Sequence, residues 1–427
     1  MQQWPNLVTA VANHAQSTVT TLAIPGPNSN LTSGIPAAVE MAAVADTVIL
    51  ALGTDTYTAG EGHDATSISL MPAQAELLIN VSAASKSPVI VVMLTATPLD
   101  ISMMLSNAKV GAVFSIGQPS VNMLGIGDLL FGLRSPAGRM VQTIYPAGYQ
   151  SEISIFDFHM RPGPSKFPRP DCALLPQSRC PRGTNPGRTH RFYNRTAVVP
   201  FGAGLSYTTW SYSTARQDSG GGSAAVSVRP VRQMLAANAG RASPSITLVE
   251  AMAPLVSWTV NVSNTGRMDA DDVVLGFMRP PGAGENGVPL QTLFGFERVH
   301  VKAGHTVSVS LFPSLLDFTQ ADGEGKRYAL PGEYRFRFGV GVEGWSHMAG
   351  MGYAEHRVAM KTDEYIGVMI ARGGAAAATG GGRAVRLPLG LPYSASLANT
   401  AASSRRRSCA QNPRRVTTKK TNMWLSI

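Results

Sequence analysis

Cysteine is scarce, with three residues in a chain of 427, and three thiols cannot make a disulfide framework. Cys172 and Cys180 share one Pro- and Arg-rich stretch and could close a small ring in an oxidising compartment, whereas Cys409 is left over. Long apolar runs are also lacking. None reaches the roughly 18 residues of a spanning helix, so no membrane span is expected. The N-terminus has neither the basic stretch nor the apolar core of a secretory leader, so no signal peptide is visible. No second His or Cys lies at metal-ligand spacing from His63, and neither a metal nor another cofactor is expected. Acidic residues vanish near the end: from Tyr365 to Ile427 there are ten Lys or Arg and no Asp or Glu. The formal charge of +10 therefore belongs to the tail, since the remainder carries 26 basic and 26 acidic residues. A neutral body and a basic tail without interleaved aromatics give no reason to expect nucleic acid as a partner.

What is present suits a folded chain of two or three domains: 44% hydrophobic and 15% charged residues, with 43 Gly and 29 Pro marking many turns. Residues 1–160 alternate helix with short apolar strand. Helices are expected over 36–45, 73–85, 100–106 and 122–131, and strands over 47–52, 88–94, 110–116 and 140–144. Runs of five to seven apolar residues between helices predict a mostly parallel sheet covered on both faces, an α/β sandwich. Gly125-x-Gly127 falls inside a predicted helix and is no dinucleotide fingerprint. Residues 161–244 form a connecting segment, Pro- and Arg-rich and weakly periodic through residue 200, with a flexible Gly220 to Ser223 insertion. From 245 to 355 the period becomes two. Val256, Trp258, Val260 and Val262 alternate with polar residues, as do Val307, Val309 and Leu311, and Tyr334, Phe336 and Phe338, which predicts a small antiparallel, immunoglobulin-like sandwich. The fold class is thus α/β plus all-β, with a disordered basic tail over 356–427.

Three stretches, in their order along the chain, carry recognisable motifs. They are Leu52-Gly-Thr-Asp-Thr-Tyr-Thr-Ala-Gly-Glu-Gly-His-Asp64 with the Gln74-x-Glu-Leu-Leu-Ile79 helix; Asn185-Pro-Gly-Arg-Thr-His-Arg-Phe-Tyr193 with Pro200-Phe-Gly-Ala-Gly-Leu-Ser-Tyr-Thr208; and Val262-Ser-Asn-Thr-Gly266 with Gly295-Phe-Glu-Arg-Val-His-Val-Lys-Ala-Gly304 and Pro331-Gly-Glu-Tyr334. Together they resemble the C-terminal half of glycoside hydrolase family 3, on its β-xylosidase and β-glucosidase branch, and the third is similar to that family's fibronectin type III-like domain.

The resemblance implies retaining hydrolysis of β-linked sugars from a non-reducing end, acting on oligosaccharides or aryl β-glycosides, and an extracellular setting. In such a mechanism one carboxylate attacks the anomeric carbon and a second, about 5–5.5 Å away, protonates the leaving oxygen. Glu61, in a Gly-rich loop after a buried strand, is the implied acid/base; without the resemblance it reads as a solvated loop glutamate. His63 and Asp64 are weaker substrate-binding candidates, and Ala65 stands where the family has an Arg beside the Asp. Arg188 and Arg191 read as structural. The nucleophilic Asp of the family lies on an N-terminal barrel, and no residue here corresponds to it. The expectation is therefore no turnover without a missing or separate barrel. The alternative is a non-catalytic carbohydrate-binding or protein-contact module.

Overall fold

The computed structural model describes residues 6–119, 123–172, 180–216, 225–226, 252, 254–321, 327–330, 332–339, 353–360, 366–368 and 423–426. Helix α1 (Leu7–Ala12) is capped by Asn6, whose side-chain oxygen accepts the Thr9 N–H at 3.0 Å. Helix α2 (Ile35–Val44), with Pro at its start, leads to strand β1 (Ile49–Gly53). Helix α3 (Pro72–Ala84), strand β2 (Val89–Leu94), helix α4 (Ser102–Ser106), strand β3 (Val110–Ser115) and helix α5 (Gly125–Leu130) follow. The strands β1, β2 and β3 pair in parallel in that order. Successive residues of β2, Val91, Val92 and Met93, are all buried. Neighbours on a strand point to opposite faces, so the sheet is covered on both sides. Leu77, Leu78 and Val81 of α3 supply part of that cover.

The expected fourth strand over 140–144 does not join this sheet. The Met140 and Ile144 N–H groups donate instead to Ala203 (2.7 Å) and Val199 (2.8 Å), which occupies the backbone groups that β3 would need. The connecting segment is also more ordered than its weak periodicity predicts. Helix α6 (Tyr149–Glu152) precedes it, and the segment itself holds an antiparallel hairpin of β4 (Gly163–Pro168) and β5 (Arg182–Asn185), and helix α7 (Thr189–Phe192). Tyr145 and Tyr149 stack at 4.3 Å, and Tyr193 meets Tyr145 edge-on at 4.8 Å. The Asn185-Pro-Gly-Arg turn needs its glycine: Gly187 has φ +84, and a Cβ there would lie 2.0 Å from the Phe192 carbonyl oxygen. An exposed apolar surface runs along Ile155, Phe156, Phe158 and Met160, with Phe158 83% exposed and the Phe167 ring 6.2 Å from Phe156.

The rest is antiparallel. Strands β6 (Trp210–Arg216), β7 (Ala225–Val226), β8 (Trp258–Asn264), β9 (Ala270–Arg279), β10 (Thr292–Val301), β11 (Thr306–Leu311), β12 (Thr319–Ala321), β13 (Arg327–Ala329), β14 (Gly332–Gly339), β15 (Tyr353–Met360) and β16 (Ile366–Val368) form three sheets, ordered β10-β9-β14-β15-β7, β11-β8-β6 and β12-β13-β16. Only the short β7 joins its neighbour in parallel. Burial on β8 alternates as the period-two pattern predicts, with Trp258, Val260 and Val262 inward. The Trp258 ring lies 4.5 Å from Phe336 and 5.4 Å from Phe338 of β14, so two of the sheets face each other across an aromatic core.

The segment expected as a disordered tail from residue 356 is corrected in three places. The end of β15, β16 and a last strand, β17 (Met423–Ser426), fall within it. β17 pairs in parallel with β3, Met423 opposite Ala112 through Ser426 opposite Ser115, and is the fourth strand of the parallel sheet. The other tail residues, Cys409 included, lie outside the described residues, as does the Gly220 to Ser223 insertion. Among the described residues, no helix is long and apolar enough to cross a membrane.

One buried ion pair ties the antiparallel part to the segment that follows the parallel sheet. Arg139 is 5% exposed and donates to the carboxylate of Asp272 on β9, itself 0% exposed, and to the Gly204 carbonyl at 2.9 Å. The Tyr212 hydroxyl of β6 donates to the other Asp272 oxygen. Burial first, and then the Asp272 charge, push the Tyr212 phenol well up, which keeps it a donor. Replacing one partner strands the other charge in a dry interior. Asp272→Asn or Arg139→Met is therefore expected to cost about 3–5 kcal/mol in urea denaturation, while Arg139→Met with Asp272→Leu regains most of the loss.

His190 of α7 stacks on Phe201 at 4.2 Å and meets Phe277 at 6.0 Å. Burial, and then the neighbouring Arg191 charge, push its imidazole down to about 4 from 6.5. The unfolded chain binds the extra proton between those values, so this contribution is complete above pH 6.5 and declines as pH falls toward 4. The loss on acidification is expected to reach up to about 3 kcal/mol, and His190→Phe should flatten it in pH-dependent unfolding measurements.

Candidate functional site

The loop that carries the predicted acid begins where β1 leaves the sheet. Gly53 has φ +156, and a Cβ there would lie 1.9 Å from the Leu94 carbonyl oxygen of β2, so glycine alone permits this approach. The Thr54 N–H donates to that same oxygen at 3.0 Å, and its hydroxyl shares a 2.8 Å bond with Thr95. Gln74, buried on α3, holds the exit point with one amide. Its Oε1 accepts the Gly53 N–H at 2.8 Å, and its Nε2 donates to the carbonyls of Gly53 (2.8 Å) and Pro27 (2.7 Å).

Beyond this anchor the chain turns twice. Asp55 Oδ1 accepts the Tyr57 N–H (3.1 Å) and both the N–H and hydroxyl of Thr58 (2.9 Å each), an Asx turn. Gly60 and His63 then exchange backbone hydrogen bonds of 2.8 and 3.0 Å, making a hairpin with Glu61 and Gly62 at its tip. Gly62 has φ +71, the left-handed conformation this turn requires at its third residue. The descending limb is fixed by bonds from the Ile68 N–H to Gln150 (2.7 Å) and from the Asp100 N–H to the Ile68 carbonyl (2.7 Å). Asp100 accepts in turn from the Ala147 N–H at 2.6 Å. The loop is held at both ends and stands free at its tip.

Glu61, His63 and Asp64 therefore share one hairpin at the carboxyl edge of the parallel sheet, where open α/β folds present ligand groups. All three are exposed, and their side chains make no hydrogen bond or ion pair with described residues. Gln74, Asp100 and Gln150, which fix the loop, were not singled out as site residues in the sequence. For Gln74 the signal was slight, one polar residue on a helix that also carries Glu76, Asn80 and Ser82. Asp100 and Gln150 gave none, because their partners lie far along the chain. Of Arg188 and Arg191, the first donates to the Asp157 carbonyl and the second lies 5.3 Å over the Phe192 ring, contacts that hold the connection together.

A separate cleft of about 630 Å³ opens past the end of β3, between Ile116, Ile126 and Leu129 on one side and Asp271, Arg298 and His300 on the other. Partial burial disfavours the Asp271 charge, but hydrogen bonds from Arg298 and His300 outweigh it and hold the carboxyl below its usual range. Glu61, His63 and Asp64 do not line this cleft. Among the described residues no three His, Cys, Asp or Glu side chains are grouped so as to hold a metal ion.

Residues 2–207 match the family model of the glycosyl hydrolase family 3 C-terminal domain. This chain belongs to glycoside hydrolase family 3. It is 33% identical over 316 residues to a probable exo-1,4-β-xylosidase of Neosartorya fischeri, an alignment that spans 74% of this chain and 37% of that one. It is 31% identical over 311 residues to β-D-xylosidase 1 of Arabidopsis thaliana, spanning 72% and 38%. The chain thus matches little more than a third of the length of these relatives. Among solved structures, a family 3 exo-β-xylosidase bound to a xylobiose aziridine probe superposes with a TM-score of 0.67 at 24% identity, covering 86% of this chain and 42% of that one. A β-glucosidase from Listeria innocua bound to isofagomine gives 0.56 at 18%, covering 84% and 42%. Both likenesses concern the fold. The matched family 3 region contains the whole Glu61 hairpin and its anchors.

Gln74→Ala removes three hydrogen bonds and leaves buried groups of Gly53 and Pro27 unpaired. The expected cost is about 3 kcal/mol in chemical denaturation, with faster proteolytic cleavage within 55–66.

Proposed function

We propose that this chain is the C-terminal part of a retaining, exo-acting β-glycosidase of β-xylosidase type, that Glu61 is its acid/base, and that hydrolysis requires a second, nucleophile-bearing part. The observation that carries this is the family match over residues 2–207, which takes in the Glu61 loop, beside alignments with xylosidases that leave more than half of each relative unmatched. Glu61 has the placement such a role asks for: a carboxyl at a hairpin tip, on a loop fixed at both ends, at the sheet edge where a sugar could approach. His63 and Asp64, on the same hairpin, are placed to contact a sugar hydroxyl beside it.

Double displacement needs a second carboxylate about 5–5.5 Å from the first. It also needs a covered site, since proton donation to a leaving oxygen is aided by removing the acid from water. Glu61 stands in solvent, and the cover and the nucleophile are assigned to the same missing part, a barrel in the family's architecture. The exposed run of Ile155, Phe156, Phe158 and Met160 supports the idea that a further body packs on this chain. The antiparallel part is proposed to be the fibronectin type III-like domain of the family. The substrate class is a β-xyloside or β-glucoside at a non-reducing end.

The test is a fusion of this chain to the N-terminal part of the Neosartorya xylosidase. The chain alone should not hydrolyse aryl β-xylosides, and the fusion should. Glu61→Gln should lower the fusion's kcat/KM by about 10²–10⁴ for substrates with poor leaving groups. Turnover by the chain alone, abolished by Glu61→Gln, would refute the need for a second part, and a fusion indifferent to Glu61→Gln would place the acid elsewhere. Calorimetric binding of xylo-oligosaccharides by the chain alone, with an inactive fusion, would favour a binding module.

A further inference from the structure

We propose that Cys172 and Cys180 are a reversible thiol–disulfide pair that locks the neck of the β4–β5 hairpin. This inference stands apart from the glycosidase assignment and rests on how the hairpin closes. Pro168 of β4 pairs with Arg182 of β5, and one step further the Arg169 N–H donates to the Pro181 carbonyl at 3.2 Å. Past that rung both cysteines turn toward one acceptor. The chain after Arg169 makes a single 3-10 turn, Pro170–Cys172, which brings the Cys172 N–H to the Arg169 carbonyl at 3.2 Å. From the returning limb the Cys180 thiol reaches the same carbonyl at 3.7 Å.

The two thiols interact directly as well. The Cys172 thiol is pushed up to about 11, first by its hydrogen bond with Cys180 and then by burial, as expected when one sulfur lies against another in a dry setting. Cys172 is buried and Cys180 half-buried, and both are free in this structure. Asp171 beside them is occupied by Arg169, and among the described residues no metal-binding group forms around the pair. That leaves oxidation as the chemistry this pair is built for.

The more accessible thiol begins the reaction. Cys180, as thiolate, attacks one sulfur of a small disulfide such as oxidised glutathione, forming a mixed disulfide and releasing one glutathione thiolate, which takes up a proton. Cys172 then loses its proton and attacks the Cys180 sulfur, releasing the second glutathione as thiol. The protein gives up two electrons and two protons, and one oxidised glutathione becomes two reduced molecules. The product closes the stretch 172–180 at its base. It thereby fixes the hairpin whose β5 ends at Asn185, the first residue of the Asn-Pro-Gly-Arg turn.

The experiment equilibrates the full chain in glutathione buffers from reducing to oxidising, quenches with an alkylating reagent, and maps peptides by mass spectrometry. Cys172 and Cys180 should become protected together at one midpoint, as a linked pair of peptides two hydrogens lighter and without linkage to Cys409. The same titration in urea should show pairing at least tenfold weaker, a potential less reducing by about 30 mV. Cys172→Ser and Cys180→Ser should each convert the remaining thiol to a mixed disulfide with glutathione. Independent protection of the two thiols, mixed disulfides at Cys172 or Cys180 in the unsubstituted chain, linkage of either to Cys409, or equal pairing in urea would overturn the proposal.

Discussion

The buried contact between Arg139 and Asp272 is the constraint on which the arrangement of this molecule depends. A guanidinium and a carboxylate lose several kcal/mol each on leaving water, and recover it only when every polar atom nearby is well placed. Three separate pieces of chain meet most of that demand here, and the Arg139 Nε is left without a hydrogen-bond partner among the described residues. The segment after α5 brings Arg139, β9 brings Asp272, and the Phe-Gly-Ala-Gly-Leu-Ser-Tyr-Thr run and its following strand bring the Gly204 carbonyl and the Tyr212 hydroxyl. Other partners in the protein interior would serve the charges less well. The contact therefore selects one relative placement of parallel and antiparallel layers more than it adds stability.

Much of the fold was legible before the structure, for reasons that differ by region. The helices α2 and α3 each open on a Pro and continue in good helix formers, and the strands β1, β2 and β3 are short apolar runs between them, so local physics decides them. Strands β8, β11 and β14 show period two because alternate residues turn toward the interior and toward solvent. The stretch 140–144 looks like a buried strand and does bury Met140, Thr143 and Ile144, yet its hydrogen bonds go to residues 199–203, a choice made by distant sequence. β17 could not be read for the same reason, since its four residues become a strand through β3. In the connection, order comes from single events: a glycine forced by the Phe192 carbonyl, a tyrosine hydroxyl accepting a backbone N–H at Thr189. None of these leaves a repeating trace.

The site divides in a similar way. The position of Glu61 could be read from its Gly-rich loop and from the family pattern. Its support could not, because the clamp is a hydrogen-bonding pattern of one amide, and a glutamine on a helix is most often a solvated residue. The structure thus separates two demands that a catalytic loop must meet. Fixing the base of the loop is accomplished within this chain by Gln74, Asp100 and Gln150. Controlling the environment of the carboxyl is not, since its tip faces solvent.

Arg139 and Asp272 also lie 133 residues apart in the chain, which gives the molecule a history as well as a shape. At ordinary rates of synthesis, the arginine emerges on the order of ten seconds before its partner exists. During that interval the parallel core β1–β3 can assemble from contacts close in sequence, with a charged side chain still in water at its border. The two layers can then join only late, once β9 has been made. A substitution in the pair would accordingly leave early folding untouched and lengthen the final docking step, when the apolar faces of both layers are most exposed to other chains.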